Sequence, residues 1–131
     1  MANLITVNSF GTTPVDRTTG RFRVTGTIAL SGSYVASPTG EILDFSKAVM
    51  PLGYTLPVNK QPISLDVWGN IGVGYEPIGP LGGAGLKVPI RITASTIAGT
   101  TPTVNELGAG AYNALIIADF IQFEAVFDAN I

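Results

Sequence analysis

The chain has 131 residues, enough for one domain that buries roughly two-thirds of its unfolded surface without a disulfide or metal. Charged residues make up only 12%, against about 25% in an average soluble domain, while hydrophobic residues reach 46% and the net charge is −2. This excludes a disordered chain, and the seven basic residues are too scattered to line a phosphate backbone, so no nucleic-acid partner is expected.

A surface this poor in charge favours association: either the fold hides its apolar residues well or part of its surface lies under a partner, and the second is expected. No run approaches about 18 apolar residues, which excludes a membrane helix. The start, Met1-Ala-Asn-Leu-Ile-Thr-Val7, has no basic region followed by an apolar core, so no export signal and no outer-membrane barrel are expected.

In chain order, residues 1–19 stand apart. Leu4, Ile5, Val7 and Phe10 are apolar, and the rest is loop-like. The segment is either an N-terminal arm that pairs with a neighbour or an edge strand of the domain that follows at 20–131. From Arg21 to Ser31 the period is two: Phe22, Val24, Ile28 and Leu30 fall on one side, Arg21, Arg23, Thr25, Thr27 and Ala29 on the other. Gly26 in mid-strand predicts a bulge or a close neighbour.

The loop from Gly32 to Phe45 turns at Pro38-Thr39-Gly40, and Ile42 to Phe45 begins a new strand. Ile63 to Glu76 alternates again, with Leu65, Val67, Ile71, Val73 and Tyr75 on one face and Ser64, Asp66, Trp68 and Asn70 on the other. Leu86, Val88, Ile90 and Ile92 form the next inward row, and Pro89 places that strand at an edge or a bulge. Gly108 and Gly110 interrupt the one helix-like stretch, so Tyr112 to Ala118 reads as a strand turning near Asp119 into a last one. There Ile121, Phe123, Ala125 and Phe127 alternate with Phe120, Gln122, Glu124 and Val126. Sixteen glycines and nine prolines fit many short strands. The expected fold is all-β: an antiparallel β-sandwich, jelly-roll-like, of two facing sheets and about eight strands.

Candidate chemistry is sparse. Without histidine or cysteine the commonest general base, the thiolate and the main zinc ligands are missing, and no enzyme, cofactor or metal is expected. Asp66 with Glu76, or Glu41 with Asp44, has the residue types of a glycosidase pair, but any nine acids yield such pairs, and they read better as solvent-facing or turn-capping groups. Glu41 and Asp44 are few for calcium, and Asp44 reads better as an acceptor for loop amides. Gly79-Pro80-Leu81-Gly82-Gly83-Ala84-Gly85 leads into a strand, so it is a connection and not a phosphate loop. Trp68 lies on the polar side of its strand. With Tyr34, Tyr54 or Tyr75 it would serve as a protein-binding anchor or a sugar-stacking platform, unless both faces of that strand are buried.

Gly26-Thr-Ile-Ala-Leu-Ser-Gly-Ser-Tyr34, a small-residue loop and Glu41-Ile-Leu-Asp-Phe45 resemble a pattern in small head proteins of tailed bacteriophages, a strand ending Gly-x-Tyr followed by a Gly-rich loop and Leu-Asp-apolar. Leu107-Gly-Ala-Gly-Ala-Tyr112 and Ala118 to Phe127 resemble the end of the same group. The likeness spans about half the chain, and Pro51 to Leu86 departs from it with extra glycine and proline. It implies a capsid decoration, or cement, protein: made in the host cytoplasm, seated on the virion's outer surface, often trimeric, and bound to the major capsid protein. Candidate interface residues are Leu4, Ile5, Val7, Phe10, Trp68, Tyr34 and Tyr54. The alternative is a carbohydrate-binding β-sandwich module using exposed aromatics.

Overall fold

The structure is a computed structural model that describes residues 3–10, 21–51, 60–98 and 101–128. In chain order the strands are β1 (Asn3–Phe10), β2 (Arg21–Leu30), β3 (Ser33–Tyr34), β4 (Glu41–Asp44), β5 (Ser64–Trp68), β6 (Val73–Pro77), β7 (Lys87–Ala98), β8 (Thr101–Glu106), β9 (Gly110–Ala111) and β10 (Ile121–Asp128). A 3₁₀ turn, Phe45–Lys47, follows β4, and one short helix, α1 (Ala114–Ile117), precedes β10. The fold is all-β and antiparallel. No helix among the described residues is long and apolar enough to cross a membrane.

The strands run β1-β2-β10-β5-β6-β7-β4 in one path, with β8 beside the far half of β7, and β3 pairs with β9 in a separate ribbon. Two separate facing sheets are therefore replaced by one that folds over. β5 and β6 are joined at a single residue pair, Val67 and Tyr75. At the opposite side Val7 N–H donates to Val49 O and Val49 N–H donates to Ile5 O, both at 2.8 Å, so the segment after β4 closes on β1. A twisted sheet of this size can bury its apolar face only by coiling onto itself, which gives the sandwich-like form.

In β2, β7 and β10 the inward rows are those that alternation predicts, whereas Ile71, expected in the inward row with Val67 and Tyr75, is exposed in the connection between β5 and β6. Phe22, Val24, Ile28 and Leu30 of β2, Val88, Ile90 and Ile92 of β7, and Ile121, Phe123, Ala125 and Phe127 of β10 are all buried. Phe45, delivered by the 3₁₀ turn, meets Phe123 and Phe127 edge-on at 5.5 and 5.8 Å, and Phe127 stacks on Phe22 at 5.6 Å. These aromatic contacts knit β4's side of the core to β10's.

Of the two alternatives for Gly26, the close neighbour is the one found in its own strand. A Cβ there would lie 2.0 Å from Thr6 O, and opposite it β1 carries a bulge: Val7 pairs with Gly26 and Ser9 with Thr25, leaving Asn8 over. Two expectations are corrected. Tyr112 to Ala118 is not a strand, because Asn113 Oδ1 accepts from Ile116 N–H at 2.9 Å and caps a helical turn that buries only Ile116. Pro89 is not at an edge, since β7 runs between β4 and β6. Its carbonyl accepts from Ile78 N–H, so its missing donor faces the same way, just past the end of β6 at Pro77.

Candidate protein-binding face

β1, β2, β10 and β5 turn one side to the core and the other outward. Their register aligns the outward side chains in rows across the layer. Leu4 stands opposite Ala29, and one step before the β10–β2 pairing begins at Ile121 and Ile28 comes Phe120. The next row is Thr6, Thr27, Gln122 and Trp68, then Thr25, Glu124 and Asp66. Arg23, Val126 and Ser64 follow, and Arg21 opposite Asp128 ends the series.

The face therefore has two ends. At one, Leu4, Trp68 and Phe120 are 46%, 43% and 54% exposed, and Val49, bonded beside Thr6, is exposed too. Leu115 and Ile117 of α1, which packs on β2, are exposed as well. At the other end Arg23 meets Glu124 at 3.1 Å and Arg21 meets Asp128 at 3.9 Å. Trp68 Nε1–H donates to Gln122 Oε1 at 3.0 Å, which ties the indole of β5 to β10. A shallow recess of about 320 Å³ lies beside it, lined by Asn8, Thr27, Gln122 and Glu124 among others.

Trp68 and Leu4 are thus the candidate residues that the structure leaves at the surface. Ile5, Val7 and Tyr34 are corrected: at 1%, 4% and 1% exposure they belong to the core and present nothing to a partner. β1 is paired along its length with β2 in the same chain, which is why its inward residues are used up. Tyr54 and the side chain of Phe10 lie outside the described residues. Phe120 is the residue that sequence reasoning passed over, although it already stood in the outward row of the last strand. Leu115 and Ile117 carried no such signal, because the segment read as a strand.

Three tyrosines are pinned to carboxylates instead of facing a partner. Tyr34 O–H donates to Glu106 at 2.6 Å, and the same oxygen accepts from Ser37 N–H and Oγ–H at 2.6 and 2.8 Å. Tyr75 O–H donates to Asp119 at 2.8 Å, whose other oxygen accepts from Asn70 N–H at 2.8 Å. Tyr112 O–H donates to Glu41, which also accepts from Asn3 Nδ2–H at 2.7 Å. Burial first, and then the adjacent carboxylate, pushes all three phenols above their ordinary range, so each remains a donor. Glu106 is held below the usual range, chiefly by the Tyr34 hydroxyl and then by Ser37 N–H.

These contacts also place the acids weighed for chemistry. Glu41 points inward, whereas Asp44 faces out from β4 and accepts from the hydroxyl and amide of Ser46, so the two do not converge. The β5–β6 register sets Asp66 and Glu76 side by side, both exposed, with Glu76 bound by Arg91 at 2.9 Å. Among the described residues no group of three acids gathers as a metal site. Comparison with protein-family models, curated proteins and solved structures finds no match to this chain.

Proposed function

We propose that this chain is a structural virion protein, a capsid decoration protein that binds the outside of a phage head and stabilises it by protein–protein contacts. The observation that carries the reading is the outward face of β1, β2, β10 and β5, where exposed Leu4, Trp68 and Phe120 adjoin a charged end. Exposed large apolar side chains gathered on one face beside charged residues suit a protein contact. The phage-head resemblance names the partners: the major capsid protein and other copies of this chain.

The test is co-sedimentation of the purified protein with phage heads that lack it. Saturable binding that raises the temperature at which the heads lose their DNA is the expected result. Protein left in the supernatant at every concentration would discard the proposal.

The recess beside Trp68 favours one second reading, a carbohydrate-binding module. An indole platform next to amide, hydroxyl and carboxylate groups matches the apolar face and hydroxyl rim of a sugar. Saturable glycan binding abolished by Trp68→Ala, together with no binding to heads, would select it.

A further inference from the structure

We infer that the outward face of β1, β2, β10 and β5 is complementary to itself and takes a second copy of this chain about a two-fold axis. This deepens the proposed function, because it rests on that face being a protein contact, but it requires no capsid. The reasoning is one of charge and row order.

On this face β2 carries Arg21 and Arg23 and no acid. The neighbouring strands carry the reverse: Glu124 and Asp128 on β10 and Asp66 on β5, with no base. A basic strand thus lies beside acidic ones, and the boundary runs parallel to the strands. Take a two-fold axis along that boundary, lying between the two copies. It turns the second face over, sets β2 of each copy against β10 of the other and keeps the order of the rows.

The consequences follow row by row. Arg21 of one copy comes opposite Asp128 of the other, and Arg23 comes within reach of Glu124 and Asp128 there. The ion pairs at 3.1 and 3.9 Å within each chain then join into one network of alternating sign. Such a network is worth more than the isolated surface pairs from which it is assembled. At the other end Ala29 comes opposite Phe120, and Thr6 of β1, with Leu4 in the adjoining row, comes over Trp68. Apolar meets apolar there, and basic meets acidic, in the same superposition. Turning the second copy end for end, with the axis across the strands, sets the arginines against the apolar end instead, so the charge pattern selects one of the two orientations. A two-fold contact of this kind is isologous, with each residue used twice.

The experiment uses two charge-reversed chains. One carries Arg21→Glu and Arg23→Glu, the other Glu124→Lys and Asp128→Lys. In analytical ultracentrifugation the natural chain should sediment as a dimer. Each variant alone should sediment as a monomer with an unchanged circular dichroism spectrum, because like charges then face each other across the axis. An equimolar mixture should return to the dimer, because both sets of contacts become complementary again. Trp68, the chain's one tryptophan, should emit at shorter wavelength in the dimer than in either monomeric variant. Variants that stay dimeric, or a mixture that stays monomeric while both chains are folded, overturn the inference. So does a natural chain that is monomeric at all concentrations. Head binding is measured separately, so a monomer that still binds heads removes only this contact, whereas a dimer that ignores heads removes only the decoration role.

Discussion

Glu106 shows how a single side chain sets the sign of a pH response. Its carboxylate gathers Tyr34 O–H, Ser37 N–H and Ser37 Oγ–H, and these donors hold it below its ordinary value of 4.5. A folded-state value lower than the unfolded one means that the contribution is complete above about pH 4.5 and is lost as pH falls through the folded value. Glu106→Gln should therefore lower the Tm at pH 7 and make the Tm fall less steeply below pH 4.5. Calorimetric scans from pH 7 to 3 would check this, and parallel curves for the two proteins would refute it. Asp119 offers a test of the buried pins. Asp119→Ala strips Tyr75 O–H and Asn70 N–H of their acceptor and should cost about 1–3 kcal/mol per stranded group in urea unfolding. Gly26→Ala should cost a similar amount, about 1–3 kcal/mol, since its Cβ would lie 2.0 Å from Thr6 O and 2.9 Å from the Phe123 ring. Of these residues only Gly26 announced its role in the sequence, as a glycine inside a regular alternation. The tyrosine–carboxylate pins join residues 44 to 72 positions apart, and no local pattern marks such a pair.

At the scale of the element, β1 is the clearest case. An apolar segment ahead of a loop reads equally as an arm for a neighbour or as the chain's own first strand. The structure pairs it with β2 from Asn3 to Phe10 and inserts Ile5 and Val7 into the core. Ile5→Ala should destabilise the domain by about 2–5 kcal/mol, and removal of residues 1–10 should unfold it and not merely weaken assembly. A folded, monomeric truncation in circular dichroism would contradict that. β2 and β10 were legible because both alternate for at least eight residues without interruption. The stretch before β10 was not: Tyr112 and Ile116 are buried while Leu115 and Ile117 are exposed, a mixture in which the Asn113 cap decides for a helical turn. Pro89 misled for a related reason. A proline excludes a hydrogen bond on one side of a strand only, and here that side faces the place where β6 has already ended.

For the whole molecule, one coiled sheet has two different surfaces to dispose of. The inner one is filled by phenylalanine and branched aliphatic side chains from both layers. The outer one keeps Leu4, Trp68 and Phe120 exposed at one end and its ion pairs at the other, the distribution on which the proposed contacts rest. The sequence by itself determined that the chain is all-β, which faces of its longer strands are apolar, and that Trp68 stands on the polar side of its strand, because a period of two is a property of each strand alone. Only the tertiary structure decided that one sheet folds over where two were expected, that Ile5, Val7 and Tyr34 are interior, and that Leu4, Phe120 and Trp68 share a surface. Those outcomes depend on strand order and register, which are set by packing between segments distant in the chain and leave no trace in the spacing within any one of them.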